Sequence, residues 1–290
     1  MKKYMIPTKK LNNGFEMPVL GLGTWLVGGD KLRNPNNDDL ANVKGIKKAI
    51  EMGISHIDTA ENYAEGHAEK LVGQAIKGFD RKKLFITSKV DKRNLAYNDL
   101  LIACKKSLER LKTSYLDLYL IHSPNDEIPI DETFRAIDEL VNKGLVKNIG
   151  VSNFKTKRLA SIQNKTKNKI VTNQVYYNLI IREPEIDGLV EYCQDQDIFL
   201  TTYRPLELGN LFIAPIIKEL SDKYGKTPFQ IAINWLVSQD KILTITKMLR
   251  IEHIKENLGA LNWQMENRDI EKLRIKFPGQ KEKSDILPLK

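Results

Sequence analysis

The sequence predicts an α/β fold, a (β/α)8 or TIM barrel with an N-terminal β-hairpin. Three observations carry that prediction. Short runs rich in β-branched residues alternate with amphipathic helical stretches, a pattern that implies right-handed parallel crossovers. Eight such runs fit between residues 17 and 248, the count that closes a barrel. Polar and titratable residues gather at the C-terminal ends of the runs, where barrels of this kind carry their chemistry. An open doubly wound sheet is the alternative that alternation alone leaves standing.

The elements follow in order. "LNNGFE" (11–16) reads as a hairpin, because Asn-Gly suits a tight two-residue turn. The predicted barrel strands are "MPVLGLGT" (17–24), "HIDTA" (56–60), "KLFITSKV" (83–90), "LDLYLIHSP" (116–124), "VKNIGVSN" (146–153), "IVTNQVYYN" (170–178), "IFLTTYRP" (198–205) and "ILTITKM" (242–248). Between them, stretches such as "ANVKGIKKAIEMG", "LLIACKKSLERLK" and "TFRAIDELVNKG" place apolar residues three and four apart, and glycine often closes the helix. "DETF" puts Asp131 at an expected N-cap. No linker, low-complexity segment or close repeat interrupts the series, so a single barrel domain over 1–290 is expected.

Composition narrows the function classes. Hydrophobic residues make up 41% of the 290 and charged residues 29%, values of an ordinary soluble globular protein. No apolar run has the length of a membrane span, so no membrane partner is expected. "MKKYMIPTKK" is basic but lacks the apolar stretch of a secretory signal. Cys104 and Cys193 match no metal spacing; no metal is expected, and reduced thiols in a cytoplasmic protein are. The sequon at Asn164 is then coincidental. The net charge of +9 comes from lysines scattered along the chain, often beside acidic residues, with no nucleic-acid motif. They read as solvated helix faces with a surplus for a small anionic ligand, and nucleic acid is not an expected partner. A monomer is the expected state.

At the C-terminal ends of the predicted strands stand Asp58, Lys89, His122, Ser152, Asn153, Tyr203 and Lys247, with Gln174 inside the sixth strand and Tyr63 just after the second. Each has an ordinary alternative. Asp58 can cap a local turn, Lys89 can be a surface lysine, His122 a satisfied core histidine, and Tyr63 a packed ring. Their common position at one barrel end weakens those alternatives together, since unconnected polar residues would be spread over both ends.

Several segments then carry a resemblance: "GLGTW" (21–25), "HIDTAENY" (56–63), "FITSKV" (85–90), "LYLIHSP" (118–124), "GVSNF" (150–154), "NQVYYN" (173–178) and "ITKMLRIEHIKEN" (245–257). In this order, and over nearly the whole chain, the sequence resembles the aldo-keto reductase superfamily. The resemblance implies a catalytic tetrad of Asp58, Tyr63, Lys89 and His122. It implies reversible reduction of an aldehyde or ketone by reduced nicotinamide. Tyr63 would be the acid, Lys89 a cation that favours its phenolate, Asp58 the lysine's partner, and His122 a neutral hydrogen-bond donor.

The resemblance also implies the cofactor contacts. Gly23, Thr24 and Asp58 would lie beside the nucleotide, Ser152, Asn153 and Gln174 would bond the carboxamide, and Tyr203 would stack on the nicotinamide. Arg204 and Leu206 belong to "RPLELGNL" (204–211), whose backbone would follow the pyrophosphate. Lys247, Met248, Arg250 and His253 occupy the region that meets a 2′-phosphate, and Glu256 and Asn257 the adenine positions. Lys247 and Arg250 beside a helix start suit a phosphate, although they can also be plain exposed cations. Met248 stands where relatives often have serine, and His253 where they often have arginine. NADP(H) is favoured because two cations remain, with NAD(H) possible. Arg204 replaces a common serine and can serve the pyrophosphate or an acidic substrate. Trp25, Tyr63, His122 and Ser123 would line the substrate pocket; Ser123, where many relatives have tryptophan, suggests small or polar carbonyls, sugars or keto acids. Two rivals remain: a non-enzymatic nucleotide sensor on the same fold, and a barrel using Lys89 as a Schiff-base amine.

Overall fold

The computed structural model describes residues 3–207 and 214–290. Its strands are β1 (Thr8–Lys10), β2 (Glu16–Pro18), β3 (Leu20–Gly23), β4 (His56–Asp58), β5 (Phe85–Val90), β6 (Leu118–Ile121), β7 (Ile149–Ser152), β8 (Ile170–Tyr176), β9 (Phe199–Tyr203) and β10 (Ile242–Thr246). β1 and β2 pair antiparallel. The other eight are parallel to their neighbours and close in the order β10-β3-β4-β5-β6-β7-β8-β9. Closure rules out the open doubly wound sheet.

The first predicted strand needs a correction. Met17 and Pro18 belong to the hairpin, paired with Lys9 and Thr8, and the barrel strand starts only at Leu20. The hairpin seals the N-terminal end of the barrel. Phe15 lies 6.0 Å from both Phe85 and Phe199, the first residues of their strands. The Lys9 ammonium donates to the carbonyls of Gln239 and Ile242, the latter at 2.8 Å.

Helices Asp39–Glu51, His67–Ile76, Tyr97–Leu111, Ile130–Asn142, Thr156–Ile162, Leu189–Asp195, Pro215–Tyr224, Pro228–Val237 and Ile251–Leu258 follow the strands. Asp38 caps the first by accepting from Ala41 N. Its Gly45 lets the backbone of Leu249 approach, since a Cβ there would fall 2.5 Å from the Leu249 carbonyl oxygen. The expected cap at Asp131 is not observed. Pro129 precedes the helix, so Asp131 falls in its first turn, where a carboxylate favours the positive end of the helix dipole instead.

Hydroxyls pair across strands on both faces of the barrel wall: Thr172 with Thr201 at 2.8 Å on the inner face, and Thr202, the next residue and so on the outer face, with Thr244 at 2.9 Å. His56 is buried inside the barrel with Nε2 3.0 Å from the Thr87 hydroxyl. Gly21 leaves the room its ring occupies. No helix of the described residues is long and apolar enough to cross a membrane.

Candidate active site

Strand pleating sends alternate residues to one face, which turns Asp58 at the end of β4 and Lys89 near the end of β5 into the barrel mouth. Lys89 is fully buried, and Asp58 is 1% exposed. An ammonium has three N–H donors, and Lys89 uses them on Asp58 Oδ1 at 2.5 Å, the Thr59 carbonyl at 2.9 Å and the Tyr63 hydroxyl at 3.3 Å. The second Asp58 oxygen accepts from Gln174 Nε2 at 2.8 Å. Burial pulls the Lys89 pKa down, but the Asp58 carboxylate and the Tyr63 oxygen more than offset it, and the group is held above its usual range. It stays charged.

Opposing effects set the Tyr63 pKa. Lys89 lowers it, as a neighbouring cation should, but burial pushes it up further. Asp58 shares the lysine's charge and itself raises the phenol. Tyr63 is therefore held firmly protonated.

The Tyr63 ring meets two aromatic edges, His122 at 5.6 Å and Trp25 at 4.9 Å. Burial, then the Lys89 charge, lowers the His122 pKa to about 3, so the imidazole is neutral. Its Nδ1 is buried without a hydrogen-bond partner among the described residues. His56 is likewise lowered, to about 4, mainly by burial. Both folded values lie below the unfolded value of about 6.5, so the unfolded chain takes up these protons first. Stability from the two neutral rings is then lost as pH falls from about 6.5 toward 4. Each group contributes a slope of about 1.4 kcal/mol per pH unit inside that window. Denaturant titrations at pH 7, 6 and 5 should show a smaller slope in His122→Gln by about that amount; an unchanged slope would refute the assignment of a neutral His122.

A second group of predicted residues is also brought together. Ser152 Oγ donates to the Gln174 carbonyl at 2.8 Å. Asn153, at φ +65°, donates to Ser152 Oγ at 3.0 Å and the His122 carbonyl at 3.1 Å, and accepts from the Tyr203 hydroxyl at 2.8 Å. Tyr203 is half-exposed, with Tyr176 stacked on it at 5.5 Å and 19°. Thr24 Oγ1 donates to the Asp58 carbonyl at 3.0 Å. The Arg204 guanidinium lies 5.6 Å from the Tyr176 ring centre, and its carbonyl accepts from Asn178 at 2.9 Å. Leu206 packs on the core. Residues 208–211 of "RPLELGNL" lie outside the described residues.

Beyond β10, Lys247 is exposed and donates to the Leu26 carbonyl at 3.3 Å. Arg250 occupies the N-cap of the helix Ile251–Leu258 and contacts His253 Nε2. Both side chains are exposed. Met248, the chain neighbour of Lys247, is wholly buried and belongs to the apolar core. Glu256 accepts from the Thr227 hydroxyl, and Asn257 is buried. Trp25 and Ser123 are half-exposed.

Three features of the site had not been anticipated. The Thr59 carbonyl is a main-chain acceptor without a sequence signal. Gln174 bonds Asp58 directly, a contact between strands that lie apart in the chain. The turn after Tyr63 is left-handed at three successive residues, Ala64 (φ +48°), Glu65 (φ +55°) and Gly66 (φ +82°). Its amides are held by a neighbouring loop, Ala64 N on the Asp30 carbonyl at 2.7 Å and Glu65 N on that of Lys31 at 3.0 Å.

A buried ion pair bonded to a phenol at the rim of a parallel barrel describes an enzyme of the barrel class. The chain belongs to the aldo/keto reductase family, whose model matches residues 19–276. It is 33% identical to the methylglyoxal reductase YeaE of Escherichia coli, covering 93% of this chain and 94% of that protein. It is 41% identical to a thermostable aldo-keto reductase solved with the inhibitor epalrestat (TM-score 0.89; 93% and 99% of the two chains covered). A Klebsiella pneumoniae aldo-keto reductase solved with NADPH is 32% identical, at TM-score 0.85 over 96% and 98% of the chains.

Proposed function

We propose that this protein reduces small, polar carbonyl compounds with NADPH, Tyr63 delivering the proton. The observation that carries the reading is the Lys89 ammonium bonded at once to Asp58 and to the Tyr63 hydroxyl.

The residues fit a nicotinamide nucleotide. A Cβ at Gly23 would meet nothing nearer than 3.8 Å, so packing does not demand glycine there. Its bare backbone at the rim suits close approach by a ligand. Tyr203 is half-exposed and backed on one face by Tyr176, which suits a flat ring. Ser152, Asn153 and Gln174 supply the donors and acceptors a carboxamide needs, and Lys247 and Arg250 would hold the 2′-phosphate at a helix start. When bound, the reduced nicotinamide supplies the hydride.

The chain's own residues manage the proton. As negative charge grows on the carbonyl oxygen, neutral His122 donates a hydrogen bond and orients it. Tyr63, protonated at neutral pH, transfers its proton to the same oxygen. The phenolate that remains is stabilised by Lys89, whose charge Asp58 keeps in place. The fixed ammonium also counts against the Schiff-base alternative, which needs a neutral amine.

Ser123 and the half-exposed Trp25 favour small polar substrates, among them 2-oxoaldehydes, sugars and keto acids. The test is a screen of these carbonyls with both nucleotides, following reduced-nicotinamide absorbance. Saturable binding of NADPH without turnover of any carbonyl would refute the reading and favour a sensor. Arg250→Ala should weaken NADPH binding roughly tenfold more than NADH binding, since it removes a charge-assisted contact to the additional phosphate. Equal losses, measured by fluorescence titration, would remove Arg250 from the phosphate site.

A further inference from the structure

Beneath the turn that carries Tyr63 lies a buried ion pair with no place in the chemistry above. Glu69, in the first turn of the helix His67–Ile76, is fully buried. One of its oxygens accepts from Arg110 Nε at 2.6 Å and the other from the Ser88 hydroxyl at 2.5 Å. Arg110 also donates to Ser107 Oγ at 3.1 Å, which fixes its guanidinium from its own helix.

Each end of this network reaches the chain segment that carries one partner of the Tyr63–Lys89 contact. Ser88 is the neighbour of Lys89 on β5. Arg110 underlies Gly66, the last residue of the left-handed turn; a Cβ on Gly66 would fall 2.7 Å from Arg110 Nε and 2.8 Å from its Cδ. Non-glycine residues resist the left-handed conformation at about 1–2 kcal/mol each, so Ala64 and Glu65 keep it only while their surroundings hold them there. The loop carbonyls of Asp30 and Lys31 hold the turn on one side, and Arg110 supports it on the other.

We infer that Glu69 and Arg110 are positioning residues: the buried carboxylate ties the strand of Lys89 to the turn of Tyr63, and so sets the 3.3 Å separation between ammonium and phenol. The inference rests on the proposed role of Tyr63. Removing Glu69 outright would leave Arg110 half-buried and unpaired and endanger the fold, so the test acts on the two contacts instead.

Gly66→Asn keeps a residue that tolerates positive φ but drives a side chain against Arg110. Its kcat for carbonyl reduction should fall roughly a hundredfold, the scale of an ångström misplacement, with NADPH affinity within about twofold of wild type by fluorescence titration. The alkaline limb of kcat should move to higher pH, because Tyr63 leaves the ammonium that opposes its burial. Adding Arg110→Lys, a slimmer cation, should restore both. Ser88→Ala, which leaves Glu69 and Arg110 paired, should lengthen the Tyr63–Lys89 separation and lower kcat even if the glycine variant folds poorly. Crystal structures of the variants read that separation without turnover. An unmoved phenol, or a loss that Arg110→Lys fails to relieve and that leaves the pH profile unchanged, would overturn the inference. A displaced phenol with wild-type turnover would instead uphold the positioning and refute Tyr63 as proton donor.

Discussion

Tyr63→Phe is expected to lower kcat by about a thousandfold, within the range that a positioned general acid contributes. Phenylalanine keeps the ring that packs between Trp25 and His122 and deletes only the hydroxyl proposed to supply the proton. NADPH affinity should be nearly unchanged, because the hydroxyl's partner in this structure is Lys89. Stability should fall by about 1 kcal/mol, one hydrogen bond to a buried ammonium that keeps its two other acceptors. Stopped-flow and steady-state rates with the same carbonyl check it. A kcat within tenfold of wild type, in a protein that binds NADPH normally, would remove the tyrosine from the reaction.

Asp58→Ala should damage both fold and chemistry. It strands a fully buried ammonium, and breaking one side of a buried pair costs about 3–5 kcal/mol, or roughly 10 °C in Tm for a chain of this size. The pH dependence carries a sign. In the wild type, Lys89 sits above its usual pKa, so its contribution to stability is present at neutral pH and lost only as pH rises through that raised value. Without Asp58, burial dominates and the folded pKa drops below the unfolded value of about 10.4. The unfolded chain then binds more protons between the two values, and stability rises with pH there. The Tm deficit of the variant should therefore shrink from pH 7 to pH 10. A constant deficit would mean that the ion pair is not what stabilises the barrel mouth. Activity should fall as well, since a neutral Lys89 leaves nothing to balance the phenolate.

Much of this was legible in the residues, and its limits have physical causes. Each predicted barrel strand contains its observed strand but overshoots it. "LDLYLIHSP" is strand only over Leu118–Ile121, because β-rich residues continue past the last ladder bond into the rim. The predicted first strand runs on from the hairpin because Met17–Pro18 and Leu20–Gly23 form one apolar run, and only pairing with β1 separates them. Asp58, Lys89 and His122 are visible because strand ends are a position that sequence order reveals; Tyr63 lies past its strand, and the family resemblance is what joins the four. The left-handed turn is not visible, since neither alanine nor glutamate signals a positive φ. Glu69 left a trace: a carboxylate amid Ala68, Leu71, Val72 and Ala75, all buried, is a charge on an apolar helix face. The direction of the Tyr63 pKa depends on burial against a lysine already shared, a balance that no linear pattern encodes.

The hairpin across the barrel floor decides traffic. With Phe15 and the Lys9 ammonium packed against the lower end, the Asp58–Lys89–Tyr63 cluster is approached from the opposite rim. The hairpin thus leaves the rim, where Asp58, Lys89 and Tyr63 converge, as the face open to a ligand.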